Sequence, residues 1–78
     1  MPYYKINSRS RVCGYVEASK HNTIKFSTAN HSWMVGKSVQ TANEWLHRHN
    51  MQFETITDSN EIERIRAVLH PTQQLAGV

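Results

Sequence analysis

Gly36, Lys37 and Ser38 stand between an apolar run and a helix-like stretch, the setting in which a glycine-rich loop wraps a phosphate. That loop needs another glycine five residues earlier, where this chain has His31. Trp33, Met34 and Val35 are also too bulky for backbone amides to close on a phosphate. The plainer reading is a charged loop leading into a helix cap. Lys37 keeps some interest, because a lysine at a helix N-terminus opposes the helix dipole and is placed to meet an anion.

Five histidines, His21, His31, His47, His49 and His70, raise the question of a metal. His47 and His49 lie two apart on a helical stretch, about 200° around its axis, so they cannot hold one ion together. No HExxH spacing occurs, and Cys13 is the only cysteine, which excludes a disulfide, a CxxC pair and a cysteine-rich zinc site. No metal and no cofactor is expected. His49 reads as a partly buried face residue and His47 as a solvated one. Cys13 and a histidine could supply a nucleophile and a base, but a lone cysteine on a strand is more often a small buried apolar group. Most carboxylates are taken up by helix caps and helix pairs, so no catalytic residues are expected and the chain reads as non-enzymatic.

What remains is charge and aromatic character in the first half. Residues 1–40 carry a net +5 and residues 41–78 a net −2, together the +3 of the whole chain. Such asymmetry marks either a face for a polyanion or two halves that attract each other. The candidate binding residues are Tyr3, Lys5, Arg9, Arg11, Tyr15, Lys20, Lys25, Trp33, Met34 and Lys37. Alternation along a strand puts Tyr3 with Lys5 on one face. With helices on the opposite face, Tyr3, Lys5, Tyr15 and Lys25 would meet solvent. Rings on a cationic sheet suit single-stranded nucleic acid. Trp and Arg equally suit a protein interface, and ordinary cross-strand contacts account for the same pattern without any ligand.

The elements that would position these groups follow from periodicity. Tyr4 and Ile6 alternate with polar residues, and Ser8 to Arg11 form a polar turn. Val12, Gly14 and Val16 give a second strand, in which Gly14 signals a bulge or a close backbone approach. Ile24 and Phe26 are expected to point inward from a third strand. Short connections favour an antiparallel meander. Trp33 to Val35 form either a core plug or an exposed anchor. Ser38 caps a helix whose apolar face is Val39, Ala42, Trp45, Leu46 and His49, with a capping box at Thr41 and Glu44 as a competing start and Asn50 as its stop. Residues 51–57 read as a strand whose alternation breaks between Phe53 and Ile56, through a bulge or through burial on both faces. Asp58 and Glu61 cap a last helix with the stripe Ile62, Ile65, Val68 and Leu69, Glu61–Arg64 and Glu63–Arg66 pairs on its solvent side, and an end at Pro71.

The expected architecture is an α+β domain over residues 1–70: an antiparallel sheet of three or four strands with two helices packed on one face, in the order βββαβα. Residues 71–78 are expected to form a flexible tail. At 78 residues and 38% hydrophobic content the core must be thin. No run approaches the roughly 18 apolar residues that cross a bilayer, so a cytoplasmic location without membrane contact is the default. The function expected is that of a small regulatory or inhibitory protein that binds a protein partner through Trp33, Met34 and Lys37. Direct binding of nucleic acid by the N-terminal sheet face is the alternative, and a homodimer would complete the thin core. Size alone suits a phage or mobile-element accessory factor aimed at a host nucleic-acid enzyme.

Overall fold

Along the chain come β1 (Tyr3–Ser8), β2 (Arg11–Ala18), β3 (Ile24–Ser27), a 3₁₀ segment (Ala29–Met34), α1 (Val39–Arg48), β4 (Met51–Thr55) and α2 (Ser59–Leu69). The computed structural model describes residues 2–70, and the tail expected at 71–78 lies outside them. The α+β class is as expected, and the order βββαβα is matched apart from the added 3₁₀ segment. The four strands form one antiparallel sheet in the order β3-β2-β1-β4.

Local chemistry sets the joints. Arg9 and Ser10 have φ of 51° and 70°, the left-handed pair that fits a two-residue hairpin to the twist of its strands. Ser38 accepts from the Thr41 N–H at 3.0 Å, so α1 starts at the earlier of its two candidate caps. Asn50, at φ 60°, lies just past the end of α1, and Asp58 accepts from the Glu61 N–H at 2.9 Å to open α2.

The two helices lie on opposite faces of the sheet, which corrects the expectation that both pack on one. Ile6, Val16, Ile24, Met34, Ala42 and Leu46 form one buried cluster, with Tyr4, Val39, Met51 and Phe53 against it. Tyr3, Ile56, Ile65 and Leu69 form another, with Tyr15 and Ile62 against it. Adjacent strand residues point to opposite faces, so Tyr3 and Tyr4 belong to different cores. The break between Phe53 and Ile56 has the same cause: Phe53 serves the α1 side and Ile56 the α2 side. The β1–β4 register runs without a shift, which excludes a bulge there.

The α2 layer also overturns the expected solvent-exposed face. Tyr3 is 4% exposed and Tyr15 half-buried under that helix, and Lys5 is partly buried between Glu54 (3.6 Å) and Glu61 (3.8 Å). Lys25 alone of that set is exposed. Phe26 departs from expectation as well. A register shift between Glu17 and Ala18 sets Phe26 opposite Glu17 and Ile24 opposite Ala18, so the two apolar residues of β3 fall on different faces. Ile24 is fully buried, whereas Phe26 stays exposed at the sheet margin.

Candidate functional site

Gly14 makes room for the segment on which the site depends. A Cβ at position 14 would lie 2.4 Å from Thr28 Oγ1 and 2.8 Å from His31 Nδ1, so only glycine lets the 3₁₀ segment settle against β2. Thr28 fastens it from both sides, its N–H donating to the Tyr15 carbonyl (3.0 Å) and its hydroxyl accepting from the Tyr15 N–H (3.3 Å). His31 is buried in the kink at the centre of the segment, and burial lowers its pKa below the ordinary value of 6.5. Its Nδ1 has no hydrogen-bond partner.

Met34, three residues on, is fully buried against Ile6, Val16 and Leu46. This corrects the expectation of Met34 at the binding surface: Met34 is the core plug, while its neighbours Trp33 and Val35 stay out. The same division runs through α1. Ala42 and Leu46 are fully buried, and Trp45 and His49, one turn apart on the margin of that stripe, are exposed.

The two margins meet. The Trp33 and Trp45 rings lie 4.5 Å apart between centroids at 56°, and Trp45 and His49 lie 3.9 Å apart at 40°. Trp33 is 38% exposed and Trp45 37%, so the rings half-bury each other and still present a continuous aromatic surface, with exposed Val35 two residues from Trp33. Tilted ring pairs of this kind hold their geometry through the ring quadrupoles. Trp33 was marked from the sequence. Trp45 and His49 were assigned to the core face, and the signal that separates them was their position at the edge of the stripe rather than at its centre.

The basic candidates are not gathered. Arg9 lies in the β1–β2 turn and Arg11 opens β2 beside it, whereas Lys20 lies in the β2–β3 turn at the opposite end of the sheet. Lys37 is exposed beside β3, where its carbonyl accepts from the Ile24 N–H at 2.9 Å. A polar cleft of about 330 Å³ by the hairpin is lined by Arg9, His47, Asn50 and Gln52 among others. Another, of about 530 Å³, lies at the start of α1 by Tyr4, His21, Ser38 and Asn43. Neither lining includes a carboxylate or a thiol, and each holds one histidine. Among the described residues no group of three His, Cys, Asp or Glu could hold a metal ion.

On the opposite face a polar network fastens α2 to the sheet. Arg66 Nε donates to the Tyr3 hydroxyl at 3.3 Å, and the guanidinium lies 6.0 Å from the centre of that ring. The hydrogen bond to Tyr3 raises the Arg66 pKa above its ordinary value. His70 Nε2 lies 2.7 Å from Glu17 Oε1, and the imidazole packs on Phe26 at 4.0 Å. The Glu61–Arg64 and Glu63–Arg66 pairs expected on α2 are not formed, because Glu61 turns to Lys5 and Arg66 to Tyr3.

Comparison with protein-family models, with curated proteins and with solved structures finds no match for this chain. Among the described residues no helix is long and apolar enough to cross a membrane.

Proposed function

We propose that this is a non-catalytic regulatory or inhibitory protein that acts by binding a protein partner through the surface formed by Trp33, Trp45 and His49. The observation that carries this reading is the exposed three-ring stack. Large rings held in fixed orientation gain contact area with little loss of side-chain freedom, and tryptophan is enriched among residues that dominate interface energies. Leu46 and Met34 already fill the core beneath these rings, so the core itself does not call on them.

The alternative, nucleic acid on the N-terminal sheet face, loses support from the α2 layer. Tyr3 is buried there and Lys5 faces two carboxylates, so that face offers neither a free stacking ring nor an unpaired cation at those positions.

Trp33→Ala and Trp45→Ala test the proposal against native lysate, with and without nuclease treatment. Loss of the Trp33–Trp45 pairing is worth about 1 kcal/mol beyond the apolar area each ring buries, so the fall in Tm is expected to exceed roughly 4–8 °C at this size. Each variant is expected to stay folded and to lose its captured protein by at least about thirtyfold, as a central hot-spot residue does. Capture that disappears on nuclease treatment, or that survives both substitutions, sinks the reading.

A further inference from the structure

The fold treats its two outer strands differently. Along the open side of β3 the chain closes its own edge: the Ile24 N–H donates to the Lys37 carbonyl (2.9 Å), the Gly36 N–H to the Ile24 carbonyl (2.8 Å) and the Val39 N–H to the Asn22 carbonyl (2.8 Å). The other outer strand, β4, has no such cover. Among the described residues no backbone hydrogen bond reaches its far side.

Hydrogen-bond parity fixes which residues face outward there. The Ile56 N–H donates to the Tyr3 carbonyl at 3.0 Å, and bonded positions alternate along an antiparallel ladder. Given Tyr4 opposite Thr55 and Lys5 opposite Glu54, the residues of β4 that bond β1 are Gln52 and Glu54. Met51, Phe53 and Thr55 therefore turn their N–H and C=O groups away from the sheet.

Exposed edges are normally blunted by a proline, a lysine or a bulge. None of these occurs in Met51–Thr55, and the β1–β4 ladder keeps its register where both ladders of β2 slip. Its one charge, Glu54, is drawn inward by the Asn7 amide (2.6 Å) and by Lys5 (3.6 Å).

We infer that β4 is the pairing edge for a second copy of this chain, the two β4 strands meeting antiparallel about a twofold axis at Phe53. This register sets Phe53 opposite Phe53, Met51 opposite Thr55 of the second copy, and Gln52 opposite its Glu54. Every outward N–H and C=O of Met51, Phe53 and Thr55 then finds a partner. On the α1 side the half-buried Met51 and Phe53, the latter backed by Tyr4 at 5.5 Å, continue as an apolar row across the axis. On the α2 side an amide meets a carboxylate, and no like charges stand directly opposed. The neighbouring registers of the same parity fit worse. Centring on Glu54 puts two carboxylates across a pair only about 4.5 Å apart between Cα atoms. Centring on Gln52 sets Thr55 against the end of α1 and leaves it unpaired. The strand is thus complementary to itself in one register, which favours a second copy over an unrelated extended peptide.

Sedimentation velocity over about 1–500 µM reads the result. The wild-type chain is expected to pass from monomer to dimer within that range, and a monomer throughout overturns the proposal. Thr55→Pro removes one outward donor at an exposed position where an edge strand accepts proline. It is expected to be monomeric with an unchanged circular dichroism spectrum; a folded dimer refutes the edge. Should that variant unfold, position 52 still decides. Gln52→Lys, opposite Glu54, is expected to tighten the dimer about threefold to tenfold, and Gln52→Glu to loosen it by a similar factor. Equal dissociation constants for both overturn the register. The Trp33–Trp45–His49 surface shares no residue with this edge, so the outcome here leaves that proposal untouched.

Discussion

Gly14→Ala is the substitution to which this fold is expected to be most sensitive for its size. The added methyl would stand 2.4 Å from Thr28 Oγ1 and 2.8 Å from His31 Nδ1, where ordinary contact begins at 3.4 Å. One neighbour must move by about 1 Å and the other by about half that. Neither is free to do so cheaply. The Thr28 hydroxyl accepts from the Tyr15 N–H, and the His31 N–H donates to the Thr28 carbonyl at 2.9 Å, so moving either side chain drags the backbone between them. Overpacking of a constrained site costs about 1–3 kcal/mol. In a domain of this length that lowers Tm by roughly 4–24 °C. The same displacement lifts the 3₁₀ segment that carries Trp33, so the Trp33–Trp45 geometry shifts with it. Thermal melting followed by circular dichroism, with near-ultraviolet signals reporting the indoles, measures both effects. A Tm within about 2 °C of wild type together with unchanged indole signals would refute the reasoning.

Asp58→Ala removes the acceptor of the Glu61 N–H, leaving α2 without its side-chain cap; a loss of about 1 kcal/mol is expected in chemical denaturation, and Asp58→Asn should recover most of it. His31 gives the stability a dependence on pH. Its folded pKa lies below 6.5, so its contribution is whole above that pH and is lost as pH falls toward the lowered value, because the unfolded chain takes up a proton that the buried ring does not. Between about pH 7 and pH 5 the wild-type Tm should therefore fall more steeply than that of His31→Gln, and parallel curves would remove His31 as the source.

Features that depend on a few neighbouring residues could be read from the chain itself. Ser38, Asn50 and Asp58 act through groups one turn away, and each does in the fold what its type and spacing indicate. Gly14 signalled a bulge, and a register shift lies beside it, whereas the close approach over it is made by the Thr28 and His31 side chains rather than by backbone. The placement of α2 was not legible in the same way. Strand alternation tells how many faces are apolar only when the strand's place in the sheet is known, and β1 looks one-sided until β4 and α2 are set beside it. The break between Phe53 and Ile56 held that information, with burial on both faces as one of its two explanations. The Trp33–Trp45 contact was beyond reach because it joins a 3₁₀ segment to a helix at the surface, with no sequence period linking them. Phe26 was misplaced by a single-residue slip, which moves a side chain from one face to the other.

The strand order β3-β2-β1-β4 makes the first of these four strands to be synthesised an interior one. Hairpins carry β1 into β2 and β2 into β3 as soon as those residues exist, yet the other flank of β1 waits for a strand far along the chain: Asn7 meets Glu54 across 47 positions. Closure over such a separation is slow beside hairpin formation. At a translation rate of about 5–20 residues per second, the wait lasts on the order of a few seconds. Through that interval Tyr3 and Ile6, among the most buried residues of the finished domain, border an unpaired edge on the nascent chain. The strand edge left unpaired longest during synthesis thus lies at the eventual centre of the sheet.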